Sequence, residues 1–402
     1  MAAHGGVVLG RPRLAAPARG RQAAVRRAVP AACPPATNRT IALLCPIGAS
    51  FLRMSPNIPA SVDELTPSWF SEVLGEMVTA VEVLDAHSGT TGRARVRLTS
   101  DSLPETVFVK LQPFTPEQQA FLRQVGLGVA EARLYAKLGT ELPVRIPRVW
   151  YSGADEADGS FVMVLEDLDA SGCRFPTPQD DDILDVARSA VAELAVLHST
   201  YLGREIPWLA TPEGMRRKPD DPKTAARRTH FIRLALDQFG AEMGPEFRRL
   251  AQLYIERSAD IIGLFGEGAL TLIHGDTHSG NLFVDNGRTG FYDWAVVGRG
   301  PGMRDVAYFL CNSLPADVRR SEQHALLARY RAALEANGVA LDERTALEQY
   351  RLFSLYSWIA AVSTAAVGSQ WQPIEIARAA MLLTTTAIAD LGVVELLETR
   401  LP

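Results

Sequence analysis

The chain has 402 residues, of which 47% are hydrophobic and 22% charged, and its formal net charge is −5 at pH 7. Residues 1–53 contain eight arginines and no acidic residue, which leaves a charge of −13 on residues 54–402. A body this acidic argues against a general binder of nucleic acids or anionic membranes, because both need clustered Lys and Arg. Four cysteines without a CxxC pair argue against a disulfide framework or a zinc knuckle, so we expect a cytoplasmic protein.

Two segments are similar in composition to targeting or membrane sequences. Residues 1–53 are rich in Ala, Arg and Pro, like organelle transit peptides, and residues 40–52 are apolar, like part of a secretory signal. We expect instead that the fold begins near Met54, and that residues 1–53 are a disordered or mis-assigned leader. Residues 352–371 carry no charge over twenty positions, but their Ser, Thr and Gly residues are too polar for a membrane span. They predict a buried helix.

Residues 66–165 predict a small antiparallel sheet with associated helices. Thr66 followed by Pro67 is a typical helix start, and Gly75 is a typical helix end. Short apolar runs between turn residues then predict five strands, with one helix inserted after the third strand. The strands are expected at residues 78–84, 94–100, 106–111, 148–152 and 160–165, and the inserted helix at residues 121–139.

From about residue 177 onward, apolar residues at helical spacing predict a chain dominated by helices. The helices are expected at residues 182–201, 243–264, 321–337, 345–367 and 374–391, with short strands at 270–273, 281–284 and 290–292. The sequence therefore predicts an α+β protein with two lobes. The N-lobe, residues 54–168, would hold the sheet and one helix, and residues 169–402 would form a helical C-lobe.

The densest chemical signal is LIHGDTHSGNL at residues 272–282, followed by GFYDW at residues 290–294. Phosphoryl transfer needs a carboxylate beside the attacking hydroxyl and metal ions that neutralise the phosphate oxygens. Asp276 can orient and deprotonate a hydroxyl, and Asn281 and Asp293 offer the hard oxygen ligands that suit Mg²⁺. The sequence therefore predicts a phosphoryl-transfer site with Asp276 as its catalytic carboxylate.

The stretch HGDTHSGN resembles the HGDxHxxN catalytic loop of the aminoglycoside phosphotransferase and choline kinase superfamily. YDW at residues 292–294 resembles the metal-binding segment of that superfamily. RDVAY at residues 304–308 resembles the helix start whose aspartate, here Asp305, braces the catalytic loop, and His274 is expected to support the same loop. The resemblance implies a protein-kinase-like two-lobed fold and an ATP-dependent, Mg²⁺-requiring kinase of small hydroxylated molecules.

The resemblance extends upstream in the expected order. It implies that Lys110, on the third strand, binds phosphate and that Glu131 is its ion-pair partner. It also implies that the segment VMVLEDL joins the two lobes and that the backbone of Glu166 and Leu168 contacts adenine. The loop over the ATP phosphates would be formed by Ser88, Gly89, Thr90 and Thr91. The sequences FVK, EARLY and YFL are similar to the ecdysteroid-kinase-like branch as much as to the aminoglycoside branch.

Two alternatives stay open at this point. A metallohydrolase could use His274, Asp276 and His278 as metal ligands, but that interpretation leaves Lys110 and its partner unexplained. A kinase fold could also serve as a binding module without turnover. Such modules usually lose the lysine, the loop aspartate or the metal-binding aspartate, and all three are present here. The absence of an APE motif argues against a protein kinase.

The acceptor is the part that the sequence determines least. In the superfamily it lies between the catalytic loop and helical inserts, which correspond here to residues 202–240 and the tail after residue 313. An acidic wall would favour a polycationic aminoglycoside, whereas this insert is basic, which favours a neutral, apolar or anionic alcohol. Its basic residues include Arg216, Arg217, Lys218, Lys223, Arg227 and Arg228. We expect a small-molecule partner and neither nucleic acid nor membrane.

Overall fold

The computed structural model describes residues 58–125, 127–209, 222–368 and 373–401. The predicted leader at residues 1–53 and the part of the basic insert at residues 210–221 lie outside the described residues. The described residues form a small sheet-containing lobe followed by a large helical lobe. The α+β fold class predicted from the sequence is therefore confirmed.

The N-lobe is built on one five-stranded antiparallel sheet with the strand order β1-β2-β3-β5-β4. The strands are β1 Ala80–Ser88, β2 Gly92–Thr99, β3 Thr106–Leu111, β4 Val149–Ala154 and β5 Phe161–Glu166. Along β3 the side chains alternate between the two faces of the sheet. Val107 and Val109 are buried in an apolar core, whereas Phe108 and Lys110 line a cleft on the opposite face. This alternation directs the Lys110 ammonium group towards the C-lobe.

Helix α1, Pro67–Leu74, covers the apolar face of the sheet. Thr66 Oγ1 accepts a hydrogen bond from the Trp69 N–H at 3.2 Å, and Gly75 ends the helix in the left-handed conformation with φ 71°. Trp69 and Phe70 are buried against the strands. Burial of each such side chain contributes about 1.5–3 kcal/mol to folding.

The segment after β3 differs from the prediction, because the single helix expected at residues 121–139 is two helices, α2 Pro116–Val125 and α3 Leu127–Leu138. Thr115 Oγ1 accepts a hydrogen bond from the Gln118 N–H at 3.3 Å. Thr115 and Pro116 thus repeat the start signal of α1, which the sequence analysis overlooked at this position. Counting α1, the described part of the N-lobe contains three helices rather than one.

Helices form most of the C-lobe. They are α4 Ile183–Tyr201, α5 Pro222–Leu264, α6 Met303–Ser313, α7 Ala316–Ala336, α8 Glu343–Ala366, α9 Ile374–Asp390 and α10 Val393–Arg400. Helix α5 is broken at Gly244, with φ 88°, next to the predicted helix start at residue 243. In the described part of the chain no single helix is long and apolar enough to cross a membrane. Helices α9 and α10 taken together, with a bend of 62° between them, reach the required length and apolar composition.

Four short strands hold the two loops that carry the sequence motifs. They are β6 Leu270–Ile273, β7 Leu282–Asp285, β8 Arg288–Phe291 and β9 Gly298–Pro301. β6 pairs with β9 and β7 pairs with β8, both antiparallel. The loop between β6 and β7 therefore lies beside the segment between β8 and β9. The sequence pattern predicts the first three strands but not β9, whose Gly- and Pro-rich composition is unusual for a strand.

Candidate active site

A buried ion cluster connects the sheet to the C-lobe. The Lys110 ammonium contacts Asp293 Oδ1 at 2.7 Å and also pairs with Glu131 on α3, and both Lys110 and Glu131 are at least 95% buried. Glu131 accepts a further hydrogen bond from the Trp294 N–H at 3.3 Å. Burial alone would lower the pKa of Lys110, but the charges of Asp293 and Glu131 raise it above its ordinary value. Lys110 is therefore a fixed cation in the cleft.

Asp293 follows β8 in the left-handed backbone conformation, with φ 59°. Residues other than glycine rarely adopt this conformation, and it is most often found at functional sites. Burial raises the pKa of its carboxyl, but Lys110 and Arg93 outweigh this effect and hold the pKa below its ordinary value. The Arg93 guanidinium lies 3.3 Å from Asp293 Oδ2. Arg93 was not predicted as a site residue, although it is the residue directly opposite Lys110 in the pairing of β2 with β3.

Asp276 and Asn281 contact each other at the end of β6. Asn281 Nδ2 donates to Asp276 Oδ2 and to the Asp276 carbonyl, both at 2.9 Å. His278 Nε2 lies 3.5 Å from Asp276 Oδ2, and the Asp276 side chain stays 30% exposed. Burial raises the pKa of Asp276, but His278, the Tyr308 hydroxyl and His274 together lower it to about 2. The group is an ionised carboxylate that remains accessible from outside.

Asp305, in the first turn of α6, holds the loop that carries Asp276. Its carboxylate accepts hydrogen bonds from the His274 and Gly275 N–H groups at 2.7 and 2.8 Å. It also contacts His198 Nε2 on α4 at 3.2 Å. Burial raises the pKa of Asp305, but these partners keep it below its ordinary value. These contacts fit the bracing role predicted for Asp305, which stays a prediction. They also place His198, which was not predicted, against the Asp305 carboxylate.

His274 is bound to backbone groups through both ring nitrogens. Its Nε2 contacts the Tyr292 carbonyl at 3.0 Å, and its Nδ1 accepts from the Asp276 N–H at 3.3 Å. Burial lowers the pKa of His274, so the ring is neutral with its proton on Nε2. Among the described residues, no group of three or more His, Cys, Asp or Glu side chains is arranged to hold a metal. The geometry therefore does not support the metallohydrolase alternative.

The turn between β1 and β2 contains the predicted phosphate loop. The Ser88 hydroxyl is bound within the protein: it donates to Gln118 Oε1 at 2.8 Å and accepts from the Phe114 N–H at 3.0 Å. Gly89 N–H donates to the Thr91 carbonyl at 3.1 Å, so the turn is tight. Thr91 Oγ1 is buried with no hydrogen-bond partner in the described part of the chain. The role of this turn as a phosphate loop stays a prediction.

A cleft of about 320 Å³ lies between the sheet and the segment that joins the lobes. Its walls include Phe108, Lys110, Leu165, Leu168, Phe175 and Asp293. Arg95 spans one side of the cleft and pairs with Asp167 and Asp169 at 2.5 and 3.2 Å. The Glu166 carboxylate points to Arg145, at 2.8 Å, so only the Glu166 backbone can face a ligand. The adenine contact of Glu166 and Leu168 stays a prediction.

The donor atoms suit the nucleotide and metal that the sequence predicted. The Asn281 amide and the Asp293 carboxylate supply hard oxygens, and the Lys110 ammonium lies against Asp293. Asp276 and Asp293 are near enough for each charge to affect the other. The structure thus brings together Lys110, Glu131, Asp276, Asn281 and Asp293, although they are spread over more than 180 residues of chain.

This arrangement defines a class of protein: a two-lobed, protein-kinase-like fold with a lysine, a loop aspartate and a second aspartate around one cleft. The sequence profile described as the phosphotransferase enzyme family matches residues 84–365. The chain therefore belongs to the phosphotransferase enzyme family, as its sequence motifs predicted. No curated protein sequence matches it. The ecdysteroid-kinase-like branch stays a prediction.

Solved structures with a similar fold include small-molecule kinases. Choline kinase from Cryptosporidium parvum is 13% identical, with a TM-score of 0.50 over 82% of this chain and 94% of that one. Ethanolamine kinase from Plasmodium vivax is 12% identical, with a TM-score of 0.46 over 78% and 83%. Macrolide 2′-phosphotransferase from Brachybacterium faecium is 18% identical, with a TM-score of 0.43 over 80% and 98%. At these identities the likeness to choline kinase shows the fold, and family membership supports a small-molecule kinase.

Proposed function

We propose that this protein transfers the γ-phosphoryl group of ATP to a hydroxyl group of a small molecule, with Mg²⁺ as the metal. The observation that carries the proposal is the contact of Lys110 with Asp293 at 2.7 Å. Asp293 lies near enough to the partly exposed Asp276 carboxylate for the charge of Asp276 to affect it. A fixed cation, a metal-binding carboxylate and a hydroxyl-orienting carboxylate are the parts that phosphoryl transfer requires. We also propose that the N-lobe ends at residue 168.

Asp276 is the proposed catalytic residue. With a pKa of about 2 it is ionised at neutral pH and can accept a hydrogen bond from the acceptor hydroxyl, which orients the oxygen for attack. The Asn281 amide fixes the carboxylate through Asp276 Oδ2. A weak base is sufficient because the hydroxyl loses its proton late in a loose phosphoryl-transfer transition state.

The remaining residues bind and orient the nucleotide. Lys110, held by Glu131, offers its ammonium group to phosphate oxygens, and the turn at residues 89–91 would lie over the same phosphates, with its remaining N–H groups as donors. Asn281 and Asp293 would hold Mg²⁺, which supplies positive charge to the phosphate oxygens when bound. The shape of the cleft, which Lys110 and Asp293 line, supports a ligand in this position.

The test compares the full chain with Asp276→Asn and with Asp185→Asn, an exposed carboxylate on α4 that serves as control. Each protein is assayed for thermal stabilisation by Mg·ATP and for ADP formation with a panel of hydroxylated compounds. We expect Mg·ATP to stabilise all three proteins. Asp276→Asn should lose at least roughly 10²-fold in turnover, the low end of the range for a general base. Absence of stabilisation by Mg·ATP in the wild type would show that the nucleotide site is wrong.

A further inference from the structure

A second cluster of side chains lies beside Asp276, on the side facing α6 and α8. Arg304 and Tyr308 are one turn apart on α6 and therefore share a helix face. The guanidinium carbon of Arg304 lies 3.6 Å from the ring centroid of Tyr356 on α8. The rings of Tyr308 and Tyr356 are 5.6 Å apart. The three side chains are in continuous contact, with Tyr308 buried and Arg304 and Tyr356 half-buried, and we call them the α6–α8 cluster.

The α6–α8 cluster reaches the catalytic carboxylate directly. The Tyr308 hydroxyl lies close enough to Asp276 to lower the pKa of that carboxyl, and the His278 ring lies 6.4 Å from the Tyr308 ring. The side chains of Asp276 and His278 are 30% and 38% exposed. A molecule whose hydroxyl approaches Asp276 from outside the nucleotide cleft would therefore also meet Tyr308 and the residues next to it.

Arg304 has no carboxylate partner: in the part of the chain that the structure describes, no Asp or Glu side chain contacts its guanidinium. Arg93, Arg95 and Arg145 each pair with an aspartate or glutamate. The Arg304 Nε is buried without a hydrogen-bond partner, which is an energetic cost. Its position in the first turn of α6 adds an unfavourable interaction with the positive end of the helix dipole. An anionic ligand at the outer guanidinium nitrogens, which are not among the buried atoms, would compensate the unpaired charge and offset its interaction with the helix dipole.

The same geometry disfavours a cationic acceptor. An aromatic face can bind a quaternary ammonium group, but the face of Tyr356 is covered by the Arg304 guanidinium. A positively charged ligand at this position would meet a like charge. Val296, whose carbonyl lies against Gly275, exposes 38% of its surface nearby and offers apolar contact instead.

We propose that the phosphoryl acceptor is a small alcohol that also carries an anionic group, with its hydroxyl on Asp276 and its anion on Arg304. The Tyr356 ring holds the guanidinium in place, and the anion pairs with the outer nitrogens of the Arg304 guanidinium. This inference rests on the proposed function, and it assigns the substrate class that the kinase activity would act on.

The experiment uses ω-hydroxycarboxylates of three to six carbons and their uncharged amides as probes. Binding of each compound to the full chain is measured by titration calorimetry, and turnover is measured as ADP formation with Mg·ATP. The variants are Arg304→Met, Arg304→Lys and Tyr356→Leu. Arg344→Met, which removes an exposed arginine at the start of α8, is the matched control.

At least one acid should bind the wild type more tightly than its amide. Arg304→Met should weaken that binding by roughly 10- to 100-fold, as expected for a lost charge-assisted hydrogen bond, and should leave the amide unaffected. Arg304→Lys should restore part of the preference for the acid, which a merely structural role for Arg304 would not produce. Tyr356→Leu should weaken the preference for the acid over the amide, and Arg344→Met should behave as the wild type.

Two results would overturn the inference: acids that bind no more tightly than their amides, or a preference for acids that survives in Arg304→Met. Neither depends on catalysis, because both are read from binding alone. Failure of the proposed kinase function would instead appear as the absence of Mg·ATP binding and of ADP formation. A wild type that phosphorylates choline or an aminoglycoside but no acid would keep the kinase function and reject the anionic acceptor.

Discussion

Lys110 on β3 and Asp293 after β8 lie 2.7 Å apart, from Nζ to Oδ1, although 183 residues separate them in the chain. The contact forms because the alternation of β3 turns Lys110 away from the apolar core, and because the left-handed conformation of Asp293 turns its carboxylate towards the sheet. Glu131 on α3 completes the cluster. The two lobes are therefore joined at the atoms that the proposed reaction uses.

Replacing Lys110 tests this cluster in two ways. Lys110→Met should lower kcat/KM for Mg·ATP by roughly 10²–10³-fold, as for removal of one preorganised charge from an active site. It should also lower the free energy of unfolding by about 3–5 kcal/mol, because the buried Glu131 carboxylate loses its partner and Asp293 keeps only Arg93. Activity and urea denaturation measure the two effects. Adding Glu131→Gln should recover stability but not activity, and Lys137→Met, an exposed lysine on α3, should change neither.

Gly275 provides a test of the catalytic loop that does not alter any charge. It has φ 87°, and an added Cβ would lie 2.4 Å from the Val296 carbonyl oxygen. Gly275→Ala should therefore cost about 2–5 kcal/mol of stability, from backbone strain together with steric overlap, and should displace Asp276. Gly172→Ala is the matched control, since Gly172 has φ 78° but open space around it, and should cost only about 1–2 kcal/mol. Equal losses in the two variants would contradict the close approach to Val296.

Much of the fold could be predicted because its signals are local. The capping pair Thr66 and Pro67 and the hydrophobic periodicity of the long helices depend only on neighbouring residues. The start of α2, before the predicted helix at residues 121–139, could have been found from Thr115 and Pro116, which repeat the same signal. Strand β9 could not, because its Gly- and Pro-rich residues become a strand only by pairing with β6.

The residues of the candidate site likewise include some that a short motif predicts and some that only the tertiary structure brings to the site. The loop residues Asp276 and Asn281 are five positions apart and form a motif that is readable from sequence. The contribution of Arg93 depends on the register of β2 against β3, and that of Arg304 depends on the packing of α6 against α8. Those are tertiary relationships, and no short motif encodes them. The role of the turn from Ser88 to Thr91 as a phosphate loop stays a prediction, and the Ser88 hydroxyl itself is bound to Gln118.

Asp305 should be required for the stability of the loop as well as for activity. In Asp305→Asn the amide group cannot accept from both the His274 and Gly275 N–H groups, so we expect a loss of about 2–4 kcal/mol, measured by urea denaturation at pH 7. Asp317→Asn, an exposed aspartate in the first turn of α7, should lose less than about 1 kcal/mol. A similar small loss for Asp305→Asn would show that the loop does not depend on this carboxylate.

The difference in stability between the wild type and Asp305→Asn should change with pH in a defined direction. The pKa of Asp305 is lower in the folded protein than its ordinary value, so its contribution is fully present above the unfolded pKa of about 3.9. The contribution is lost as the pH falls through the folded pKa. The stability difference between wild type and Asp305→Asn should therefore be constant from pH 5 to 7 and decrease below about pH 4, as measured by denaturation at each pH. A difference that vanishes already at pH 6 would contradict the lowered pKa.

His278 should control the titration of Asp276. The wild-type carboxyl has a pKa of about 2, so kcat/KM should not fall through this group between pH 7 and pH 5. In His278→Gln the imidazole that lowers the pKa of Asp276 is lost while burial still raises this pKa, so activity should begin to fall at a higher pH than in the wild type. The measurement is kcat/KM against pH for both proteins, with His324→Gln, an exposed histidine on α7, as control. A wild-type profile that falls at the same pH as that of His278→Gln would show that His278 does not lower the pKa of Asp276.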